Sequence, residues 1–140
     1  MRILVAVDGS PIAVRAARYA ARLALALREE SQVVLLSVDA PLLKAVAVEL
    51  GVQGVEKYHA ENSAFAVKDA RSALNRLKIK YEVTTLVGDA AKSIVKHAES
   101  GKFDLIVMGS HGRTAFKSLF LGSVSTKVLS LSRVPVTIVR

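Results

Sequence analysis

A chain of 140 residues with 51% hydrophobic and 23% charged side chains can bury a core, and it is too apolar to be disordered. The absence of cysteine excludes disulfides, a thiol nucleophile and cysteine-ligated metal. The net charge of +8 would suit nucleic-acid binding, but the basic residues are scattered and aromatic residues make up only 5%. We therefore expect a single domain over residues 1–140 with a basic solvated surface, and nucleic acid is an unlikely partner.

The start of the chain gives an expectation about location. No apolar run approaches the roughly 20 residues that cross a bilayer. Only five apolar residues separate Arg2 from Asp8, which is too few for a signal peptide. The expectation is a cytoplasmic protein with no membrane partner.

The first predicted elements are a strand and a helix. Residues 2–7 are almost continuously apolar, which is typical of a strand covered on both faces. Ser10 is a plausible helix N-cap, and Pro11 follows at the first helical position. Apolar residues then recur at helical spacing: Ile12, Ala16, Tyr19, Ala20, Leu23 and Leu27. A solvated face is predicted for the basic residues off that stripe, Arg15, Arg18 and Arg22.

The middle of the chain predicts a second strand at 33–38 and a second helix at 56–77. Residues 40–55 between them are apolar but are interrupted by Gly51 and Gly54, so they are either a mobile flap or the start of the second helix. The inward face of that helix is predicted to hold Ala66, Ala70, Ala73, Leu74 and Leu77.

A third strand and a third helix follow. Residues 81–87 alternate in polarity, and Asp89 is a good helix cap. Gly101 occupies the usual stop position of the helix. One face of the strand is predicted to hold Tyr81, Val83, Thr85 and Val87. The helix is predicted to bury Ala91, Ile94, Val95 and Ala98.

The last part of the chain predicts an apolar strand at 104–109, a helix that starts near Ser123, and a final strand at 136–139. Pro135 blocks continuation of the helix. The helix is predicted to bury Val124, Val128 and Leu131. Strands and helices thus alternate from end to end, which predicts one parallel sheet wrapped by helices.

A glycine-rich loop gives the strongest functional signal. The buried strand 104–109 runs into Gly109-Ser110-His111-Gly112, and nine residues later Gly122-Ser123 opens a helix. Glycines let backbone approach a ligand closely, and a helix start offers unpaired N–H groups to an anion. Ligands of open α/β sheets bind where strand order reverses, so adjacent first and fourth strands would bring Asp8 beside this loop.

Each of these residues also has a structural interpretation. Asp8 and the three glycines could serve only as turn residues, and Ser123 could serve only as a helix cap. His111 and Arg113 could face a phosphate or solvent. A hydroxyl near the proposed phosphates could accept a phosphoryl group, and the candidates are Ser110, Thr114, Ser118, Ser125 and Thr126.

Several established signatures are absent from the sequence. It contains no G-x-x-x-x-G-K-[ST], no G-x-G-x-x-G after the first strand and no Gly-x-Ser-x-Gly elbow. Histidine and carboxylate spacings do not suggest a metal cage. His97 is interpreted as structural, and His59 has no partner that suggests catalysis.

The chain resembles the universal stress protein family, in its ATP-binding branch. The family pattern G-x-x-G, nine residues, G-[ST] is matched at 109–112 and 122–123. Segments 3–10, 104–109 and 134–140 resemble the family's first, fourth and closing strands. Residues 40–55 match poorly, and Ala90 stands where relatives often have proline.

The resemblance implies a Rossmann-like single domain, with a five-stranded parallel sheet of order 3-2-1-4-5 and helices on both faces. It also implies a homodimer through strand 136–139 and a site for ATP, with Mg. Asp8 would lie near the ribose or a nucleotide-bound Mg, and Val38 would meet adenine through its backbone. The nucleotide-binding set implied in this way is Ala6, Val7, Asp8, Val38, Met108, Gly109, His111, Gly112, Gly122, Ser123, Val124 and Ser125, to which the loop position adds Arg113.

Three functions follow from these observations. The first is an ATP-binding stress-response protein whose nucleotide sets its conformation or its affinity for partners, without fast turnover, since there is no obvious general base and no dedicated lysine. One alternative is a slow ATPase or self-phosphorylating enzyme. The other is a nucleotide-free dimeric interaction protein.

Overall fold

The computed structural model describes residues 1–27, 30–113 and 121–140. Strands and helices alternate through these residues, as the sequence predicts. The elements are β1 (Arg2–Ala6), α1 (Pro11–Ala26), β2 (Gln32–Asp39), α2 (Lys44–Arg76), β3 (Tyr81–Val87), α3 (Ala90–Ser100), β4 (Leu105–Gly109), α4 (Ser123–Leu131) and β5 (Val136–Val139).

The sheet has the order β3-β2-β1-β4-β5 with every neighbouring pair parallel, which confirms the predicted topology. Leu4 at the centre lies opposite Val34 on β2 and Ile106 on β4. The chain proceeds outward from β1 to β3 and then returns to β4 on the other side of β1. The carboxyl ends of β1 and β4 therefore border the point where strand order reverses, which is the usual place for a ligand in this architecture.

Two apolar cores cover the two faces of the sheet. Ile3 and Val5 point to the core shared with α1 and α2, whereas Leu4 points to the core shared with α3 and α4. This alternation along β1 follows from the two-residue period of a strand. Helices thus lie on both faces, as predicted.

Two helix starts are fixed by the predicted caps. The Ser10 hydroxyl accepts a hydrogen bond from the Ala13 N–H at 3.2 Å, with Pro11 at the first helical position. The Asp89 carboxylate accepts one from the Lys92 N–H at 3.0 Å. Both contacts satisfy N–H groups that the helix itself leaves unpaired.

Helix α2 begins earlier than the predicted residue 56, at Lys44. Gly51 has φ +67°, so it kinks the helix, and the predicted interruption there is confirmed. The predicted interruption at Gly54 is wrong, because that residue is helical. The apolar residues beside the kink do not enter the core: Val48 is 75% exposed and Val52 is 77% exposed. The first α2 residue with a buried side chain is Ser63.

The predicted inward faces are partly wrong. The four residues predicted for α3 are all buried. Leu77, Val124 and Leu131, which were predicted to be buried, are exposed, as is Tyr19 on the apolar stripe of α1. Periodicity shows which side of a helix faces inward but not how far the covering element extends.

Among the described residues, no helix combines the length and the apolar character needed to cross a bilayer.

Candidate functional site

A cavity of about 270 Å³ lies at the carboxyl ends of β1 and β4, against the start of α4. Its walls bring together twelve of the thirteen predicted site residues. These are Ala6, Val7, Asp8, Val38, Met108, Gly109, His111, Gly112, Gly122, Ser123, Val124 and Ser125. The thirteenth, Arg113, does not line it. Residues from distant parts of the chain thus meet because parallel strands end at one edge.

Four further residues line the cavity and were not predicted: Ala13, Leu36, Ala90 and Ile94. Two of them, Leu36 and Ile94, could have been inferred from their spacing in the sequence. Leu36 lies two residues before Val38 and so shares its side of β2. Ile94 follows Ala90 by four residues at the start of α3, so the two form one stripe.

Asp8 ties the loop after β1 to the loop after β4. One carboxylate oxygen accepts the Ser10 N–H at 2.9 Å, and the other accepts the Arg113 N–H at 3.2 Å. A side chain at Gly112 would place its Cβ 2.8 Å from that second oxygen, closer than real contacts allow. Asp8 therefore holds the glycine loop in place, and Gly112 is required for the close approach.

Gly122 brings the start of α4 against the same loop. Its N–H donates to the Ser110 carbonyl at 2.7 Å, and an added Cβ would lie 3.0 Å from the His111 Cα. Nearby, the Ser125 hydroxyl donates to the Gly109 carbonyl at 2.9 Å. Gly122 is therefore needed where two backbone segments come close together. A role as a turn residue alone does not explain its place in the sequence pattern.

The N-cap of α4 is Gly122, so the interpretation of Ser123 as the cap is wrong. No side chain caps this helix start, and the N–H groups of residues 123–125 have no acceptor within the described part of the chain. Unpaired N–H groups at a helix N-terminus carry partial positive charge and attract anions. These groups lie at the wall of the cavity, so it offers an anion site made of backbone.

His111 and Arg113 differ in placement. His111 is half-buried and lines the cavity, with Nδ1 at 2.9 Å from the buried Ser110 hydroxyl. The Arg113 guanidinium lies over the Phe65 ring of α2, 5.5 Å from its centroid. The predicted phosphate-facing arginine is therefore directed to a helix, and only its backbone N–H serves the loop.

The candidate phosphoryl acceptors are engaged where the structure describes them. The Ser110 and Ser125 hydroxyls have the partners given above, and the Thr126 hydroxyl donates to the Gly122 carbonyl at 2.9 Å. Thr114 and Ser118 lie outside the described residues. Within the described ranges, no three acidic or histidine side chains are grouped as metal ligands.

A second polar cluster lies at the end of β2, next to Val38. The Asp39 carboxylate is 2.7 Å from His59 Nδ1 and accepts the Asn62 side-chain N–H at 2.9 Å. Both partners are on α2. The sequence offered no means of finding this pairing, which links α2 to the strand that lines the cavity.

The ionisation of Asp39 is coupled to this link. Burial alone would raise the pKa of Asp39, but hydrogen bonds from His59 and Asn62, the charge of His59 and the Ala40 N–H together outweigh burial. The pKa of Asp39 is consequently lowered below its ordinary value of 3.8. A lowered pKa in the folded state means that the charged form stabilises the fold above pH 3.8, and that this contribution is lost as pH falls further.

We expect Asp39→Asn to abolish this acid sensitivity. The wild type should exceed the variant in unfolding free energy at about pH 5, and that excess should shrink as the pH falls below 3.8. Urea unfolding from pH 2.5 to 7 measures it. Asp69→Asn, at an exposed carboxylate of α2 without an ion pair to any described residue, is the matched control. Differences that stay constant down to pH 2.5 would contradict the assignment.

The sheet order and the cavity at its reversal point define an α/β protein of the Rossmann-like, doubly wound class. The model of the universal stress protein family matches residues 1–140, and the chain belongs to that family. Universal stress protein YxiE of Bacillus subtilis is 30% identical over 99% of this chain and 98% of its own length. The solved structure of MJ0577 from Methanocaldococcus jannaschii superposes with a TM-score of 0.82 at 30% identity, covering 99% of this chain and 94% of that one.

Three more distant solved structures share the fold and contain nucleotides. One is a universal stress protein with cAMP (22% identity, TM-score 0.74), one the Archaeoglobus fulgidus protein with dAMP (23%, 0.71) and one an Arabidopsis thaliana protein with AMP (14%, 0.67). Each covers at least 99% of this chain and at least 90% of the other.

Proposed function

We propose that this universal stress protein binds an adenine nucleotide, with ATP as the physiological ligand, and that the nucleotide sets its conformation or partner affinity. The observation that carries the proposal is the cavity at the reversal point, which has an apolar part and a part made of backbone N–H groups. A nucleotide has the same two parts, a flat base and an anionic tail.

The apolar part suits a purine ring. Leu36, Val38, Met108, Ala90 and Ile94 supply aliphatic surface to its lining. An engineered apolar cavity of about 150 Å³ holds benzene. A volume of about 270 Å³ is therefore enough for a bicyclic base but not for a whole nucleoside triphosphate. The phosphates must extend outward from it.

The exit from the apolar part leads along Gly112 and Gly122 to the uncapped start of α4. Phosphate oxygens can accept from the N–H groups of residues 123–125 without displacing a side-chain cap. The complexes of related structures with cAMP, dAMP and AMP support an adenine nucleotide, because adenine, a sugar and one phosphate are common to all three.

In an ATP complex, most of the ligands of Mg would have to come from the phosphates and water. Asp8 already accepts two backbone N–H groups, and the described residues around it form no acidic cluster. Mg is usually bound through one or two carboxylates together with substrate phosphates and water. Each Asp8 oxygen keeps a lone pair beyond the one that accepts an N–H, so Asp8 can serve as a carboxylate ligand of a metal that the nucleotide carries in. Slow turnover is part of the proposal, because none of the described residues that line the cavity is a lysine.

A structural link exists through which the nucleotide could act on partners. The Ser110 N–H donates to the Val139 carbonyl at 2.8 Å, which joins the glycine loop to β5. β5 is an edge strand that pairs with β4 on one side. We propose that two copies pair through the other side of residues 136–139, since an open edge favours strand pairing. Light scattering with and without ATP measures the molar mass in solution and so tests whether two copies pair.

Titration calorimetry of the wild type with ATP, AMP, GTP and UTP, each with and without Mg, tests the proposed ligand. We expect ATP to bind at least tenfold more tightly than UTP, because a smaller pyrimidine leaves the apolar part unfilled. Equal affinities for ATP, GTP and UTP would refute recognition of adenine. No binding of any adenine nucleotide at millimolar concentration would refute the proposal as a whole.

A further inference from the structure

Four arginines line a groove between α1 and α2, on the outer side of that helix layer. Arg15, Arg18 and Arg22 come from α1, and Arg76 comes from the end of α2. Ala73 and Leu77 complete the lining of this space of about 430 Å³. We call it the arginine groove. It shares no lining residue with the cavity at the carboxyl edge of the sheet.

The α1 arginines are placed together by helical spacing. Positions 15, 18 and 22 are separated by three and four residues, so they lie on one side of the helix. They span about 10 Å along its axis, at about 1.5 Å per residue. Arg76 approaches from the neighbouring helix, and this approach could not be predicted from the sequence. All four residues are exposed.

Among the described residues, no acidic side chain forms an ion pair with the arginines of the groove. Helix α1 has no acidic residue. Among the described residues, the ion pairs within 4.0 Å are Lys57–Glu61 and His59–Asp39, and none of the four arginines donates a hydrogen bond. Asp69, one turn before Ala73 on α2, is exposed and makes no ion pair with a described residue. Like charges at this helical spacing repel one another, and a bound anion would relieve that repulsion.

We propose that the arginine groove binds a short linear polyphosphate chain. Guanidinium groups present paired N–H donors that match phosphate oxygens, which makes arginine the preferred side chain for phosphate recognition. A row of three arginines opposed by a fourth suits a narrow chain of successive phosphates. A concave groove cannot lie flat on a membrane, and its six lining residues include no aromatic side chain on which a nucleic-acid base could stack.

Calorimetric titration with sodium polyphosphate of defined length tests this site, in saturating AMP so that the other cavity is occupied by a nucleotide without a phosphate chain. Arg18→Gln/Arg76→Gln removes one guanidinium from each helix. Lys92→Gln/Lys96→Gln on α3 removes the same charge elsewhere and is the matched control, leaving both proteins at +6 from +8. We expect the arginine pair to weaken binding at least tenfold and the lysine pair less than threefold.

A third variant separates guanidinium geometry from charge. Arg18→Lys/Arg76→Lys keeps the net charge and should still lose several-fold in affinity, because lysine lacks the paired donors. Equal weakening by the arginine and lysine pairs would overturn the proposal, as would no binding to the wild type. Single-stranded RNA or phosphatidylserine vesicles that bind more tightly than polyphosphate, through the same arginines, would overturn the assigned ligand. Circular dichroism verifies that each variant is folded, so that a lost affinity reports on the groove.

Discussion

Gly122→Val should reduce nucleotide affinity by at least a hundredfold while the protein remains folded. The valine Cβ would lie 3.0 Å from the His111 Cα and 3.4 Å from the Ser110 carbonyl oxygen, so its methyl groups must push the loop away from α4. That displacement breaks the N–H contact from Gly122 to Ser110 and fills the space that phosphates would enter. Overpacking at one site costs roughly 1–3 kcal/mol, less than the stability of an ordinary domain.

Calorimetry with ATP measures the lost affinity, and thermal unfolding measures the fold. Gly54→Val is the matched control, since the atoms nearest to a Cβ there belong to the Leu50 side chain on α2, away from the cavity. The control should bind ATP as the wild type does. Undiminished affinity in Gly122→Val would show that the nucleotide does not approach the start of α4, even if it binds elsewhere in the cavity.

Leu4→Ala should lower the unfolding free energy by about 3–5 kcal/mol, the typical cost of a large cavity in a core. Leu4 is completely buried on the central strand, in the core shared by α3 and α4. The residues opposite it on β2 and β4 are held by strand pairing and cannot close the gap. For a chain of this size, that loss corresponds to a fall in Tm of roughly 10 °C.

Urea unfolding of Leu4→Ala measures this loss against Leu25→Ala. Leu25 on α1 is 59% exposed, so the same substitution there should change stability by less than about 0.5 kcal/mol. A similar loss at both positions would mean that the substitution acts through the unfolded chain rather than through the core.

The sheet and most of the cavity could be predicted because their signals are local. Apolar runs such as residues 2–7 define strands, and Ser10 and Asp89 mark helix starts that the structure confirms. Parallel strands end at one edge, so Asp8 and the loop at 109–112 had to meet once β1 and β4 were neighbours. Contact between them follows from topology alone.

Contacts between helices and strands could not be predicted in the same way. His59 reaches Asp39 because the part of α2 after Gly51 lies in one register over β2. The meeting of Arg76 with Arg18 depends on how two helices pack against each other. A single sequence contains no signal for either register, because each is set by side-chain packing across an interface.

The kink at Gly51 divides α2 into two parts that differ in local stability. Its left-handed backbone interrupts the helical ladder, and the turns before it place no side chain in either core. We therefore expect residues 44–50 to unfold and refold locally while the remainder of the helix stays packed on the sheet. Amide exchange in that short segment would report its own opening equilibrium and not the unfolding of the whole domain.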